Sequence, residues 1–223
     1  MRRQPGIPVL TPALAFPDPS EARPDGLLAV GGDLSVERLL LAYRMGIFPW
    51  SSAPISWWSP DPRSIIPMSG LHIPRSLERR LRNHPWKITL DAAFSDVIHA
   101  CAEPAPGREE TWIEPPLIEA YLRLHHAGYA HSLEIWQDDH LVGGIYGVAL
   151  GGFFAGESMF HRVSDASKVA LVHLISHLRD RGFRLFDTQI ASPLTRSMGA
   201  IDLPRRTYLE RLGLALDLDV SIH

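Results

Sequence analysis

The sequence predicts an α/β protein, a mixed-sheet sandwich behind a small N-terminal domain. Three observations carry this. Stripes of helical period alternate with apolar runs of period two from about residue 75 onward. Residues 1–32 are rich in proline and glycine and read as irregular, while Pro60, Pro62 and Pro67 mark a boundary. That divides the chain into 1–62 and 63–223. With 223 residues, 45% of them apolar, there is enough material for one large core and a small appendage.

Each element has its own justification. Ser35 caps a short helix ending at Gly46, with Val36, Leu39, Leu40 and Tyr43 on its apolar stripe. The next stretch, Gly46 to Arg63, holds three of the six tryptophans and four prolines. It shows no sustained period and reads as a loop whose rings either plug a core or line a pocket. "PRSLERRLRN" is a helix. Trp86, Ile88 and Leu90 alternate as a strand, and Asp91 then caps a helix bearing Phe94, Val97, Ile98 and Cys101 on one face. "PAPGREETWIEP" is a loop, and "PPLIEAYLRLHHAG" is a helix that opens on proline and stops before Gly128. "HSLEIWQ", "HLVGGIYGVAL" and "GGFFAGESMF" read as strands, the first two joined by an Asp138-Asp139 turn. A helix over about 166–181 carries Leu171, Leu174, Ile175 and Leu178 as its stripe. "FRLFDTQ" is a strand, and "PRRTYLERL" a short helical stretch. The order β-α-α-β-β-β-α-β is the one expected of an acetyltransferase-like (GNAT-like) acyl-transfer fold. A fold does not by itself fix the chemistry.

Composition removes several function classes. A formal charge of −3 argues against a wholly basic nucleic-acid coat but leaves room for a local patch. A single cysteine, Cys101, excludes an internal disulfide and suits a reducing compartment. No apolar run is long enough for a signal peptide or a bilayer span, so a soluble, cytoplasmic protein is expected. The eleven histidines form no HExxH or Cys/His cluster, so no metal is expected. Basic residues are clustered. Arg75, Arg79, Arg80, Arg82 and Lys87 fall within thirteen positions, and they make either a solvated helix face or the seat of an anionic partner.

Two polar positions inside apolar strands draw attention. Alternation puts Phe183, Leu185, Asp187 and Gln189 on one face, so an acid and an amide point the same way. An unpaired buried carboxylate costs several kcal/mol, so Asp187 needs a partner, which the Gln189 amide can supply. The alternative is a solvated strand end. Glu157, after two phenylalanines and before Met159 and Phe160, is either paired with an arginine such as Arg162 or aimed into a site.

The blocks "GLLAVGGDLSVERLLLAYRMGIFPW", "WWSPDPR", "GGIYGVALGGFFAGESMF", "DASKVAL", "FDTQ", "SMGA" and "LPRRTYLERL" run in order over nearly the whole chain. Together they resemble the leucyl/phenylalanyl-tRNA–protein transferases, bacterial enzymes of the N-end rule. The resemblance implies an enzyme that moves Leu, Phe or Met from an aminoacyl-tRNA to the α-amino group of proteins with N-terminal Arg or Lys, marking them for degradation. It implies neither metal nor coenzyme. By the family pattern Ile145, Phe154, Leu171, Leu174, Leu178 and Phe186 wall an apolar donor pocket. Trp50 and Trp112 hold the terminal adenosine and donor side chain, unless they are core plugs. Tyr43 and Tyr121 are further substrate-binding positions, and the cluster from Arg75 to Lys87 carries the acceptor stem. The expected mechanism has Asp187 holding Gln189, whose carbonyl oxygen accepts a hydrogen bond from the attacking amine. The ribose hydroxyls share the proton transfer, and Glu157 binds polar groups nearby. Two features depart from the pattern. Ser192 stands where the family has asparagine or threonine, and the chain stops soon after Leu212. A coenzyme-A acetyltransferase is the rival reading, but "HRVSDASKVA" has no glycine where a pyrophosphate-cradling loop would need one.

Overall fold

The computed structural model describes residues 6–104 and 111–223. The segment predicted as a loop over 104–115 therefore lies partly outside the described residues, as does the start of the irregular N-terminal stretch. Two sheets organise the chain. The first has the order β1-β2-β4-β3, from β1 (Val9–Leu10), β2 (Leu27–Gly31), β3 (Phe48–Ser52) and β4 (Ile55–Trp58). The second has the order β11-β5-β10-β9-β8-β7-β6. Its strands are β5 (Arg63–Ile66), β6 (Lys87–Leu90), β7 (Ala130–Gln137), β8 (His140–Leu150), β9 (Phe153–His161), β10 (Leu185–Gln189) and β11 (Ile201–Leu203). Neighbours in it are antiparallel except β9 and β10. A parallel pair needs a crossover, which helix α5 (Ala166–Asp180) provides. The antiparallel run β7-β8-β9, then a helix, then a strand returning parallel to β9, is the acetyltransferase-like order that the sequence predicts.

Several predicted elements form for the reasons given. In α1 (Val36–Arg44) the Ser35 hydroxyl accepts from the Arg38 amide at 3.3 Å. Gly46 follows at φ +71°, and a Cβ there would lie 2.6 Å from Leu209 Cδ2, so another residue would be strained and would have to displace that leucine. Asp138 and Asp139 take φ of 48° and 61°, the double left-handed pair of a type I′ hairpin turn. Between Tyr146 and Gly147 the β8–β9 register shifts, and a Cβ on Gly147 would strike the Ala155 carbonyl. Strand alternation then sorts the sheet's two faces. Ile145, Phe154 and Phe186 pack with Leu171, Leu174 and Leu178 of α5. Tyr146, Phe153 and Leu185 pack with α3 (Phe94–Ala102) and α4 (Pro115–His126), and Cys101 is buried there on its helix stripe. The apolar side chains of α1 and the first sheet join that second core.

The structure corrects several expectations. The aromatic stretch is a hairpin, β3–β4, not a loop, and residues 1–32 contribute β1 and β2. Arg38, 1% exposed, anchors that proline-rich arm by donating to the carbonyls of Thr11, Pro12 and Ala13. Asp91 does not cap α3. It adopts φ +56° and accepts from the Ser132 amide at 2.8 Å and from His131 Nδ1 at 2.6 Å. Glu134, reaching across from β7, instead accepts from the amides of Ala92 and Ala93 ahead of the helix. Lastly, β5, flanked by prolines, is fully buried between β10 and β11. The C-terminal helix is also longer than its motif: α7 covers Arg205–Leu216. Between β10 and β11 lies the unforeseen α6 (Pro193–Ser197).

The hairpin divides its tryptophans. Trp57 is fully buried, donates from Nε1 to the Gly31 carbonyl at 2.9 Å and meets Phe16 edge-on at 4.8 Å. Trp50 is 37% exposed and touches Trp58 edge-on at 5.1 Å. Replacing Trp57 with Ala is expected to cost about 3–5 kcal/mol in urea unfolding, and replacing Trp50 about 1 kcal/mol or less. Equal losses would contradict this division.

Candidate active site

Beyond Asp187 the β9–β10 pairing ends, and the two strands part. On the other side of β10 the register with β5 shifts between Asp187 and Gln189, and Gln189 takes φ +54°. This bulge re-aims Gln189 and breaks the simple alternation that placed it beside Asp187. Two cavities meet at the gap. One, of about 180 Å³, is bordered by Phe48, Trp50, Trp112, Glu157 and Gln189. The other, of about 380 Å³, is bordered by Ile145, Met159, Leu171, Phe186 and again Glu157 and Gln189.

Asp187 is fully buried and finds its partner in Arg63. The guanidinium donates Nε to Oδ1 at 2.9 Å and Nη2 to Oδ2 at 2.6 Å. Tyr208 donates its hydroxyl to Oδ2 at 2.8 Å, and the Gln189 amide N–H donates to Oδ1 at 2.8 Å. Arg63 is itself 1% exposed. It gives Nη1 to the Gly46 carbonyl at 3.0 Å and lies over the rings of Phe48 and Tyr208 at 4.8 and 4.6 Å. Burial opposes its charge, but the adjacent carboxylate more than compensates and holds it protonated. The expected contact is thereby corrected: Asp187 holds Gln189 by its backbone, and the side chain points elsewhere.

That side chain meets Glu157. Gln189 Nε2 donates to Glu157 Oε1 at 3.1 Å, which leaves the amide oxygen free. Tyr43 donates to Oε1 at 2.8 Å and Tyr121 to Oε2 at 3.0 Å, and the two hydroxyls touch at 2.6 Å. Arg162 is not a partner, because it pairs with Glu103. Burial pushes the Glu157 carboxyl up to about 7, against the hydrogen bonds from Tyr43 and Tyr121. Asp187 adds to the rise and Arg63 opposes it.

The remaining predicted residues fall into three groups. Trp50 and Trp112 border the first cavity, and Ile145, Leu171 and Phe186 the second. Phe154, Leu174 and Leu178, expected as pocket walls, border neither of these cavities and pack in the core behind them. Phe154 stacks behind Phe186 at 5.6 Å. Leu174 and Leu178 follow Leu171 one and two turns along α5, and only the first turn reaches the cavity. Arg75, Arg79, Arg80 and Arg82 of helix α2 (Arg75–Asn83) are exposed, as is Lys87, and none pairs with a carboxylate among the described residues. Ser192 caps α6, accepting from the Thr195 amide at 3.1 Å, and borders the second cavity. Sequence reasoning missed Arg63 and Tyr208. The demand for a cation near Asp187 was readable, but its source lies 124 positions away inside a proline-flanked segment. Among the described residues only Asp91, His131 and His223 converge closely enough to share a cation, and none borders these cavities.

The raised Glu157 pKa has a consequence for stability. From about pH 4.5 to 7 the folded state keeps a proton that the unfolded chain releases, so this group's contribution falls as pH rises through that window. Glu157→Gln removes the loss. It is expected to stabilise the fold by roughly 1–3 kcal/mol at pH 8 and by little near pH 4, measured by denaturant unfolding. A variant less stable at pH 8 would show that the carboxylate is not strained there.

Comparison with known proteins bears on what this site belongs to. The family model described as leucyl/phenylalanyl-tRNA protein transferase matches residues 65–213, and the model of that family's N-terminal domain matches 32–61. A Syntrophobacter fumaroxidans protein named leucyl/phenylalanyl-tRNA–protein transferase is 55% identical over 207 residues, covering 92% of this chain and 88% of its own. One of the same name from Nitratidesulfovibrio vulgaris strain DP4 is 54% identical over 200 residues, covering 88% and 86%. Solved structures are more distant. A GCN5-related N-acetyltransferase from Kribbella flavida is 12% identical with a TM-score of 0.41, over 74% of this chain and 59% of its own. The L-PGS of Bacillus licheniformis is 10% identical with a TM-score of 0.43, over 70% and 51%. Likeness at that level carries no conclusion about function. The family models and the identity along the chain do: this chain belongs to the leucyl/phenylalanyl-tRNA protein transferase family.

Proposed function

We propose that this protein is an aminoacyltransferase that moves Leu, Phe or Met from aminoacyl-tRNA to the α-amine of proteins with N-terminal Arg or Lys, marking them for degradation. The observation that carries the reading is the joint between the two cavities. An aromatic cavity and an apolar one share Glu157 and Gln189 on their common wall. In this reading Trp50 and Trp112 stack on the terminal adenosine, a contact worth about 1–3 kcal/mol per base. The space beside Ile145, Leu171 and Phe186 takes the donor's unbranched or aromatic side chain. Gln189, held by its backbone from Asp187, offers its free amide oxygen to the acceptor amine. The donor is an ester, already activated, so orientation without a covalent enzyme intermediate is sufficient.

The wider surface supports a tRNA path. A cleft of about 670 Å³ shares Met159 with the apolar cavity and extends past His161, Arg162 and Lys168 to Asp165. Asp165 also borders a hollow lined by Arg79 and Arg80 of α2. These neighbouring hollows lead from the proposed reaction centre to Arg79 and Arg80, which pair with no carboxylate among the described residues. In this reading residues 1–62 and 63–223 are two units joined through the shared core, and the stem lies on the second. No described helix is long and apolar enough to cross a membrane, and we place the reaction in the cytoplasm.

Labelled Phe-tRNA or Leu-tRNA, mixed with a protein bearing N-terminal Arg, tests the reading. Label transfer is expected, and none under conditions where a family member works would end it. Asp187→Ala is a poor probe, because it strands a buried guanidinium at a cost of about 3–5 kcal/mol. Gln189→Ala is the sharper one. It is expected to lower kcat about 100-fold with the KM for tRNA little changed. A change in KM alone would assign Gln189 to binding. Arg79→Glu with Arg80→Glu is expected to raise the KM for tRNA and flatten its dependence on salt by about one to two ion equivalents. An unchanged salt slope would move the stem elsewhere.

A further inference from the structure

We infer that the Glu157 carboxylate, closed into a ring with the hydroxyls of Tyr43 and Tyr121, is the group that takes the proton from the acceptor's α-ammonium. This rests on the transferase reading above and adds to it the destination of the proton.

Counting hydrogens makes the argument. Tyr43, Tyr121 and Glu157 touch one another pairwise, at 2.8, 3.0 and 2.6 Å. With the carboxyl ionised, the two phenols supply two hydrogens for three short oxygen–oxygen contacts, so one contact is left without a proton. With the carboxyl protonated there are three hydrogens, and all three contacts become hydrogen bonds. The ring is one proton short of complete satisfaction. The phenols are not the variable members, since burial first, and the neighbouring acid with it, pushes both well above their ordinary value.

Among the described residues the neighbours leave no other acceptor. Arg63, Asp187 and Gln189 approach from β5 and β10, Tyr146 from β8, and the two ring phenols from α1 and α4. Asp187 is committed to Arg63, Tyr208 and the Gln189 amide. The Gln189 amide oxygen is far too weak a base to hold a proton at neutral pH. Among the described residues Glu157 has no cation of its own in contact; it borders both cavities, and burial pushes its carboxyl up to about 7. A peptide α-ammonium titrates at about 7.7–8, so the transfer is nearly balanced.

The step balances. The ammonium gives one proton to the carboxylate, and the neutral amine, aligned by Gln189, attacks the ester carbonyl. The new C–N bond forms and the ester C–O bond breaks. The amine's second proton leaves with the ribose oxygen, and protonated Glu157 returns its proton to solvent through the cavity.

The test is the pH dependence of single-turnover transfer from Phe-tRNA to an N-terminal Arg peptide, corrected for spontaneous ester hydrolysis. Wild type is expected to rise through one ionisation near pH 7. Glu157→Gln, an isostere of the protonated ring, is expected to fold and bind tRNA normally but to react about 100-fold more slowly at pH 7. Its deficit should shrink to within about tenfold at pH 9, where the acceptor is already the free amine and needs no base. A deficit of constant size from pH 6.5 to 9, or no deficit, overturns the proton assignment while leaving the transferase reading intact. A wild-type protein that moves no label overturns both.

Discussion

The contact between Arg63 and Asp187 is the constraint on which the rest of the site depends. It joins β5 to β10, and through its remaining bonds it reaches the Gly46 carbonyl after α1 and the Tyr208 hydroxyl on α7. Four separate parts of the chain are thereby fixed to one carboxylate. Such a pair is weak evidence for stability, because removing two charges from water costs several kcal/mol each, which the attraction only partly repays. Its value here is geometric. By accepting the Gln189 amide N–H, Asp187 holds that residue at φ +54°, a conformation a glutamine rarely adopts alone. The strained backbone then turns the side chain toward Glu157.

The same pair leaves two neighbouring acids in different surroundings. Asp187 receives a full counter-charge, and its oxygens are saturated. Glu157 receives only neutral donors from tyrosine and glutamine, and burial is left to raise its proton affinity. The residue type is almost the same, and the surroundings differ: a guanidinium faces one carboxylate, and only neutral donors face the other.

Much of this was legible in the sequence, because periodicity is a local property. The α5 stripe, the β7-β8-β9 run and the Asp138-Asp139 turn all follow from neighbours a few positions apart. The hairpin of Phe48 to Trp58 was not, since Pro49, tolerated in the edge strand β3, and Pro54, in the turn, obscure any alternation. Asp91 looked like a cap because aspartate often is one. Its carboxylate is drawn instead to His131 and Ser132, and only the β6–β7 pairing reveals that competition. The site shows the same limit. The burial of Asp187 foretold a partner, but nothing local singled out Arg63. Tyr43 was placed on an apolar stripe, yet helical period says nothing about where a hydroxyl ends. Here it ends on a carboxylate 114 positions away.

The parting of β9 and β10 draws these strands together. Parallel neighbours are tied by evenly spaced bonds, and opening them exposes backbone groups that must be satisfied otherwise. In this protein the opening begins at the bulge after Asp187. The cost is met by Asp187 itself, which accepts the freed Gln189 N–H, and by Thr188, whose hydroxyl donates to the Ser64 carbonyl. The gap thus begins where an acid stands at the last paired position of β10, and the ion pair with Arg63 fixes where that acid's oxygens lie. A residue without a side-chain acceptor at 187 would leave the Gln189 N–H unpaired and remove the reason for the strands to separate where they do.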